Sequence, residues 1–183
     1  RQGVGMPKKV SELYRDASEA MLGRGGRASS TEQRQLLQAI FFVAHTSKDR
    51  VIEDSHLKVA AQRAKASDEV LEEVRSLAIQ DQLPLVSLLQ SDPLQLQSSH
   101  LSFQEYFAAR VLCEEGTQLS GAPPWQWEAW WANVVLLGSE MDGFGRGLLR
   151  AAGVKGEVLD LSGKLGGDRP TVLKVVAVLM GAL

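Results

Sequence analysis

The sequence predicts a mainly α-helical protein that contains one short β-hairpin. Apolar residues recur with the helical period before Leu83, alternate loosely after it, and return to the helical period after His100. Small helices followed by a hairpin form the outline of a winged-helix-like domain. A helical domain and a strand–turn–helix repeat unit follow, and we expect the three parts to span residues 1–98, 99–155 and 156–183.

Composition narrows the class of protein. The 183 residues are enough for one large or two small domains with a buried core. The net charge of −2 argues against a nucleic-acid binder, which usually carries a basic excess. No apolar run reaches the roughly 18 residues of a membrane span, and the single cysteine, Cys113, excludes an intrachain disulfide. We therefore expect a cytoplasmic protein that binds neither a membrane nor nucleic acid.

Two helices are predicted before residue 47. The apolar stripe of the first consists of Val10, Leu13, Tyr14, Ala17 and Met21. The glycine-rich stretch GRGGRASS ends that helix, and Ser30 and Gln33 then have the spacing of a capping box. The predicted buried side of the second helix consists of Leu36, Leu37, Ile40, Phe41 and Ala44.

Two short helices and a hairpin complete the predicted winged-helix-like domain. The helices are DSHLKVAAQRA and SDEVLEEVRSLAIQ, the latter with Ser67 as its N-cap. In the stretch LPLVSLLQSDPLQLQSS, Ser91, Asp92 and Pro93 form a turn signal between two alternating runs.

The next predicted helix begins at about Phe103, because Ser102 and Glu105 have capping-box spacing, and Gly116 provides its stop. Its buried side consists of Phe103, Phe107, Ala108 and Val111, with Tyr106 at the edge. His100 therefore lies in the connection between the hairpin and this helix, where a packed scaffold holds it in place.

A tryptophan-rich helix and a repeat unit are predicted after residue 120. Pro124 starts the helix, and one of its faces carries Trp127, Trp130, Trp131, Val134 and Val135 as core residues. The tail predicts a strand at residues 158–161, a glycine-rich turn and a helix with Asp168 as its cap and Pro170 in its first turn. A lone unit of this kind cannot bury its own face. Since the sequence also opens without an initiator methionine, we expect it to be part of a longer protein.

The sequence contains no motif of a self-contained enzyme. It has no G-x-x-x-x-G-K-[ST] phosphate loop, no G-x-G-x-x-G after a strand and no G-x-S-x-G elbow. The sequence has three histidines that lie far apart: His45, His56 and His100. None of them has a second histidine or cysteine four positions further along the chain, which argues against a metal site. Cys113 falls within a predicted helix and is expected to be inert.

The stretch HLSFQEYFAA resembles the end of the winged helix in NACHT-type NTPases, the signal-transducing group that includes animal Nod-like receptors. The family pattern reads close to F-x-H-x-[ST]-F-Q-E-[FY]-[FL]-A-A. The residues that match it are His100, Ser102, Phe103, Gln104, Glu105, Tyr106, Phe107, Ala108 and Ala109. Ser98 replaces the aromatic residue of the pattern.

Two further segments resemble parts of the same family. MPKKVSELYRDASEAML is similar to the passage from the ATPase core to the winged helix. VLDLSGKLGGD resembles the start of a leucine-rich repeat, with Leu159 and Leu161 in its L-x-L strand and Lys164 in place of the usual asparagine.

The resemblance implies a regulatory switch region rather than an enzyme. In the family the motif histidine, here His100, contacts the β-phosphate of bound ADP and helps to hold a closed, inactive state. ADP or ATP, with Mg, would be bound mainly by an upstream NACHT core and not by this fragment alone. Phe103 and Phe107 would anchor the motif, while Ser102 and Glu105 would cap the helix and so fix where His100 points.

The implied partners are the upstream NACHT core, a protein ligand recognised by downstream repeats, and further copies of the chain in an activated homo-oligomer. Two alternatives stay open on the sequence alone. The first is an interaction scaffold without switching, in which His100 is only structural. The second is a winged-helix DNA binder, but its candidate recognition helix, DSHLKVAAQRA, carries only Lys58 and Arg63 beside Asp54.

Overall fold

The computed structural model describes residues 7–23, 30–114, 116–119, 121–154 and 159–181. The helices in these ranges are α1 (Val10–Leu22), α2 (Thr31–Thr46), α3 (Asp54–Ala64), α4 (Asp68–Ile79), α5 (Leu101–Cys113), α6 (Ala132–Ser139), α7 (Phe144–Ala151) and α8 (Arg169–Met180). The strands are β1 (Val51–Glu53), β2 (Val86–Ser91) and β3 (Leu94–Ser98). The predicted mainly α-helical class is confirmed.

The three strands form one antiparallel sheet in the order β1-β3-β2. The predicted hairpin is confirmed, since β2 and β3 pair across the turn at Asp92 and Pro93. β1 pairs with the other edge of β3, where Ile52 lies opposite Leu96. β1 has no counterpart among the predicted elements, because three residues are too few to show strand alternation.

The elements α2, β1, α3, α4, β2 and β3 follow one another in the order of a winged helix. α2 packs against α3 and α5, and α4 lies against β2. Ile52, Leu57 and Leu96 are buried within this unit. The residues predicted for the buried side of α2 are all buried: Leu36, Leu37, Ile40, Phe41 and Ala44.

Serine caps begin α2 and α4 as predicted. Ser30 Oγ accepts a hydrogen bond from the Gln33 N–H at 3.1 Å, and Gln33 Oε1 accepts one from the Ser30 N–H at 2.9 Å. Ser67 Oγ accepts from the Val70 N–H at 3.4 Å. These bonds satisfy backbone donors that a helix start otherwise leaves open. The predicted glycine-rich turn before α2 falls mostly on residues 24–29, which lie outside the described residues.

Helix α1 forms where predicted, but its buried side is rotated relative to the predicted stripe. Val10 and Leu13 are 49% and 55% exposed, whereas Ser11 and Ser18 are buried. Ser18 tolerates burial because its hydroxyl donates to a carbonyl of the preceding turn. At Ser11 the backbone N–H donates to a carboxylate beyond α6.

The prediction of one tryptophan-rich helix is wrong. The segment consists of two 3₁₀ turns, Pro124–Gln126 and Ala129–Trp131, followed by α6. Extended backbone at Trp127 separates the turns, and the Trp127 indole N–H holds the loop by donating to the Ala122 carbonyl at 3.2 Å. The predicted core role is confirmed for Trp127 and Trp131, which are buried and stack with ring centroids 4.1 Å apart.

The last helix begins as predicted. The Asp168 carboxylate accepts from the Thr171 N–H at 3.0 Å and from the Thr171 hydroxyl at 2.6 Å, and Pro170 lies in the first turn. The predicted strand is not formed at residues 159–161, and Val158 lies outside the described residues. Within the described ranges, every helix is too short or too polar to cross a bilayer.

Helix α5 lies within one continuous hydrophobic core that includes residues of the winged helix and of α6 to α8. It packs against α2, α6 and α7, and Ala108 and Ala109 are completely buried. The approach of α7 is so close that a Cβ on Gly147 would lie 1.7 Å from the Leu112 carbonyl oxygen. Glycine is therefore required at this helix crossing.

We predict that Gly147→Ala destabilises the protein by at least about 2 kcal/mol, because overpacking against backbone forces the two helices apart. Gly181→Ala is the matched control, since a Cβ there meets its nearest neighbours at 3.7 and 3.8 Å. Urea unfolding of both variants and the parent measures the effect. Equal stability of Gly147→Ala and Gly181→Ala would contradict the described crossing.

Candidate functional site at the start of helix α5

His100 is the N-cap residue of α5, with extended backbone between β3 and the helix. Its carbonyl oxygen accepts hydrogen bonds from the Ser98 hydroxyl at 2.6 Å and from the Phe103 N–H at 3.0 Å. Its side chain makes no capping bond, and the residue is exposed. The backbone of His100 is thus fixed on both sides while its imidazole is open to solvent.

The predicted capping box of Ser102 and Glu105 is wrong. The helix begins at Leu101, so Ser102 already lies in its first turn. Glu105 does not reach back to the helix start, because its carboxylate accepts a hydrogen bond from the Asn133 side chain on α6 at 2.8 Å. The backbone of His100 is held by the two bonds to its carbonyl and not by a side-chain cap.

Phe103 and Phe107 pack in the core as predicted, whereas Tyr106, which was expected at its edge, is also buried. Phe103 and Tyr106 both contact the Tyr14 ring of α1, Phe103 edge-on at 5.6 Å and Tyr106 stacked at 5.9 Å between centroids. Phe107 stacks on Phe41 of α2 at 5.3 Å. Each of these side chains on α5 is buried. The role of Phe103 and Phe107 as core anchors is confirmed.

Gln104 and Glu105 tie α5 to two different neighbours. The completely buried Gln104 donates from Nε2 to the Asp49 carbonyl at 3.0 Å, which joins α5 to the segment before β1. Glu105 joins α5 to α6 through Asn133. Burial raises the pKa of the Glu105 carboxyl, while the Asn133 hydrogen bond and the charge of Arg50 act in the opposite direction. These polar side chains position the helix and do not face solvent.

The helix start beside His100 favours an anion. The N–H groups of Leu101 and Ser102 have no hydrogen-bond acceptor among the described residues. Unpaired amides and the helix dipole give this end of α5 a partial positive charge. An exposed imidazole and two open amides therefore lie at the same helix end, an arrangement that can donate to phosphate or carboxylate oxygens.

The sequence pattern does not reveal the role of His45. Its ring is buried between Trp130, stacked at 4.9 Å, and Trp131, edge-on at 4.7 Å. Neither ring nitrogen has a hydrogen-bond partner among the described residues, and burial lowers its pKa from 6.5 to about 3. The Trp130 indole N–H donates to the His45 carbonyl at 2.9 Å. The apolar run AIFFVA before His45 was the only signal of burial.

The remaining candidates belong to local structure. His56 accepts from the Glu53 N–H at 3.0 Å, and its other ring nitrogen lies 3.1 Å from the Asp49 carboxylate. The Cys113 thiol lies 3.4 Å from the Ala109 carbonyl, and burial raises its pKa to about 11, which disfavours the reactive thiolate. No three His, Cys, Asp or Glu side chains come together as a metal site within the described ranges.

We predict that protonation of His45 destabilises the fold at acid pH. Its folded pKa of about 3 lies below the ordinary 6.5. Between pH 6.5 and about 3 the unfolded chain therefore binds a proton at His45, whereas the folded protein keeps the ring neutral. The free energy of unfolding falls as the pH falls through this range. The expected loss is about 1.4 kcal/mol per pH unit below pH 6.5.

Urea unfolding between pH 7 and pH 4 checks this prediction. His45→Phe keeps a planar ring between the tryptophans and should flatten the pH dependence, whatever its stability at pH 7. Leu136→Phe is the control, because Leu136 is exposed and carries no titratable group, so the slope should equal the parent's. The same slope in the parent and in His45→Phe would show that His45 does not titrate in this way.

Comparison of the chain with protein-family models, with curated proteins and with solved structures finds no match. The likeness to NACHT-type NTPases therefore depends on the motif at residues 100–109.

Proposed function

We propose that the chain is the regulatory region of a NACHT-type NTPase, in which His100 senses the nucleotide held by an adjoining core. The winged helix would pass the nucleotide state to downstream repeats that bind a protein partner. The observation that carries this proposal is the exposed imidazole of His100 at the N-terminus of α5, on a backbone that two hydrogen bonds hold. A sensor needs a side chain that is accessible and rigidly aimed.

The chemistry of this helix end suits a nucleotide phosphate. An imidazole N–H can donate to a phosphate oxygen, and a protonated ring adds charge assistance. The open amides of Leu101 and Ser102 lie at the same end of α5. ADP or ATP, with Mg, would be held mainly by the core, so hydrolysis would not be an activity of this fragment.

The packing of α5 supports a relay. Gln104 joins the helix to the segment before β1, and Glu105 joins it to α6. The two halves of the core are the winged helix and α6 to α8, and α5 packs against both. A displacement of His100 would therefore move both halves, because well-packed interiors shift between discrete arrangements rather than deform gradually. Exchange of ADP for ATP at the core would bias such a two-state change.

The charges on the winged helix oppose DNA binding. In a winged helix the helix that would contact DNA is the one before the hairpin. Here this helix is α4 and not α3, the predicted candidate. α4 carries Asp68, Glu69, Glu72 and Glu73 against Arg75 alone. The hairpin from Val86 to Ser98 contains no lysine or arginine. An acidic recognition helix and a wing whose one charged residue is Asp92 repel phosphates instead of neutralising them.

We predict that His100→Ala accelerates ADP release by about 10- to 100-fold in a protein that contains the nucleotide-binding core. Loss of a hydrogen bond to a charged group typically costs about 1.5–3 kcal/mol. Gln97→Ala is the matched control, because Gln97 is also exposed and lies three residues before His100 on β3. The measurement is the dissociation rate of fluorescent ADP, together with basal ATPase activity.

Unchanged ADP release and basal activity in His100→Ala would contradict the sensing role. In that case the chain would act as an interaction scaffold in which His100 is structural. Salt-sensitive binding of the chain to duplex DNA would instead support the winged-helix DNA binder.

A further inference from the structure

We infer that α1 is a detachable strap over the motif helix α5, latched by Glu140 at the end of α6. This inference concerns the chain's own contacts and does not depend on the proposed nucleotide sensing. It follows from what α1 covers, from how little of α1 is buried, and from one long-range contact at its N-terminus.

Helix α1 covers the aromatic side of α5. The Tyr14 ring lies edge-on to Phe103 and is stacked on Tyr106. Phe103 in turn lies 6.3 Å from the His100 ring, measured between centroids. Removal of α1 would therefore uncover Phe103 and Tyr106 beside the exposed imidazole. The position of α1 determines whether this side of the motif helix is accessible.

Little apolar surface holds α1 in place. Leu22 is its only fully buried apolar side chain within the described residues, and its other apolar contacts with the core are only partly buried: Tyr14, Ala17 and Met21. Between α1, α5 and the turn after α6 lies an open groove of about 570 Å³, lined by charged side chains that include Arg15 and Arg110. Segments with few buried apolar contacts open at lower free energy than the rest of a fold. α1 is therefore the helix most ready to detach from α5.

The latch is a helix cap supplied by a distant residue. Glu140 Oε2 accepts a hydrogen bond from the Ser11 N–H at 2.8 Å, and the Glu140 carbonyl accepts one from Lys9 Nζ at 2.9 Å. Lys9 is the N-cap of α1 and offers no side-chain acceptor of its own. Glu12 of α1 accepts from the Lys8 and Lys9 N–H groups, so the carboxylate of Glu140 adds an acceptor for the Ser11 N–H and a second negative charge at this helix N-terminus.

A second attachment of α1 is weaker. Glu19 forms an ion pair with Arg34 of α2, and the two side chains are 49% and 34% exposed. Exposed pairs of this kind contribute little to stability. The N-terminal contact with Glu140 is part-buried, so it is the contact whose loss should release the strap.

Hydrogen exchange of the 183-residue chain tests this inference. In Glu140→Ala the amides of α1 should exchange at least about tenfold faster, since a charge-assisted hydrogen bond is lost. Exchange in α2 and α5 should stay as in the parent, which also shows that the variant is folded. Hydroxyl-radical oxidation of Tyr106 should rise in parallel as the ring is uncovered. Glu140→Gln keeps an acceptor oxygen without the charge and should give a smaller acceleration.

Glu128→Ala is the control, because the Glu128 carboxylate pairs with Lys48 and makes no contact with α1. An unchanged hydrogen-exchange rate of the α1 amides in Glu140→Ala would contradict the proposal that Glu140 holds α1 on α5. The same would follow if α1, α2 and α5 accelerated together, since the effect would then be global. An equal acceleration of α1 in Glu128→Ala would also refute a specific role of Glu140.

Discussion

The close packing of α5 against α2 and α7 constrains the rest of the structure. Phe107 stacks on Phe41 of α2, and the Leu112 carbonyl meets Gly147 of α7 at a distance that leaves no room for a side chain. A helix gripped in this way cannot rotate without breaking both contacts. The backbone position of His100 follows from this, because His100 is the N-cap residue of the fixed helix.

Polar groups give the same core its specificity. Gln104 and Glu105 connect α5 to the segment before β1 and to α6 through hydrogen bonds that are wholly or partly buried. Leaving either partner unpaired would cost more than the bond itself contributes. Two buried side chains of this core are not fully satisfied, since the His45 ring nitrogens and Gln104 Oε1 have no hydrogen-bond partner within the described residues. The His45 ring is held instead by stacking between two indoles. The contact between His45 of α2 and the two tryptophans is therefore sensitive to protonation. The hydrogen bonds of Gln104 and Glu105 are partly shielded from solvent.

Local signals predicted much of the fold. The serine caps at Ser30 and Ser67, the hairpin turn and the Asp168 cap depend on neighbours a few residues away, and all four are found. Tertiary contacts decided the rest. Glu105 bonds to Asn133 instead of closing a capping box, Glu140 accepts from the first turn of α1, and the Trp127 indole donates to the Ala122 carbonyl. None of these partners can be read from spacing alone. At the candidate site, the position of His100 and its aromatic neighbours were predictable, but the burial of His45 was not.

The coupling of the two halves of the core through α5 can be measured directly. All four tryptophans lie between residues 125 and 131, so their fluorescence reports on unfolding around α6. Leu57→Ala removes a buried side chain from α3 in the winged helix, at an expected cost of about 2–5 kcal/mol. With a continuous core, the tryptophan transition in urea should shift together with the loss of helical circular dichroism. A tryptophan midpoint that stays at the parent's value while the helical signal shifts would show that α5 does not couple the two halves.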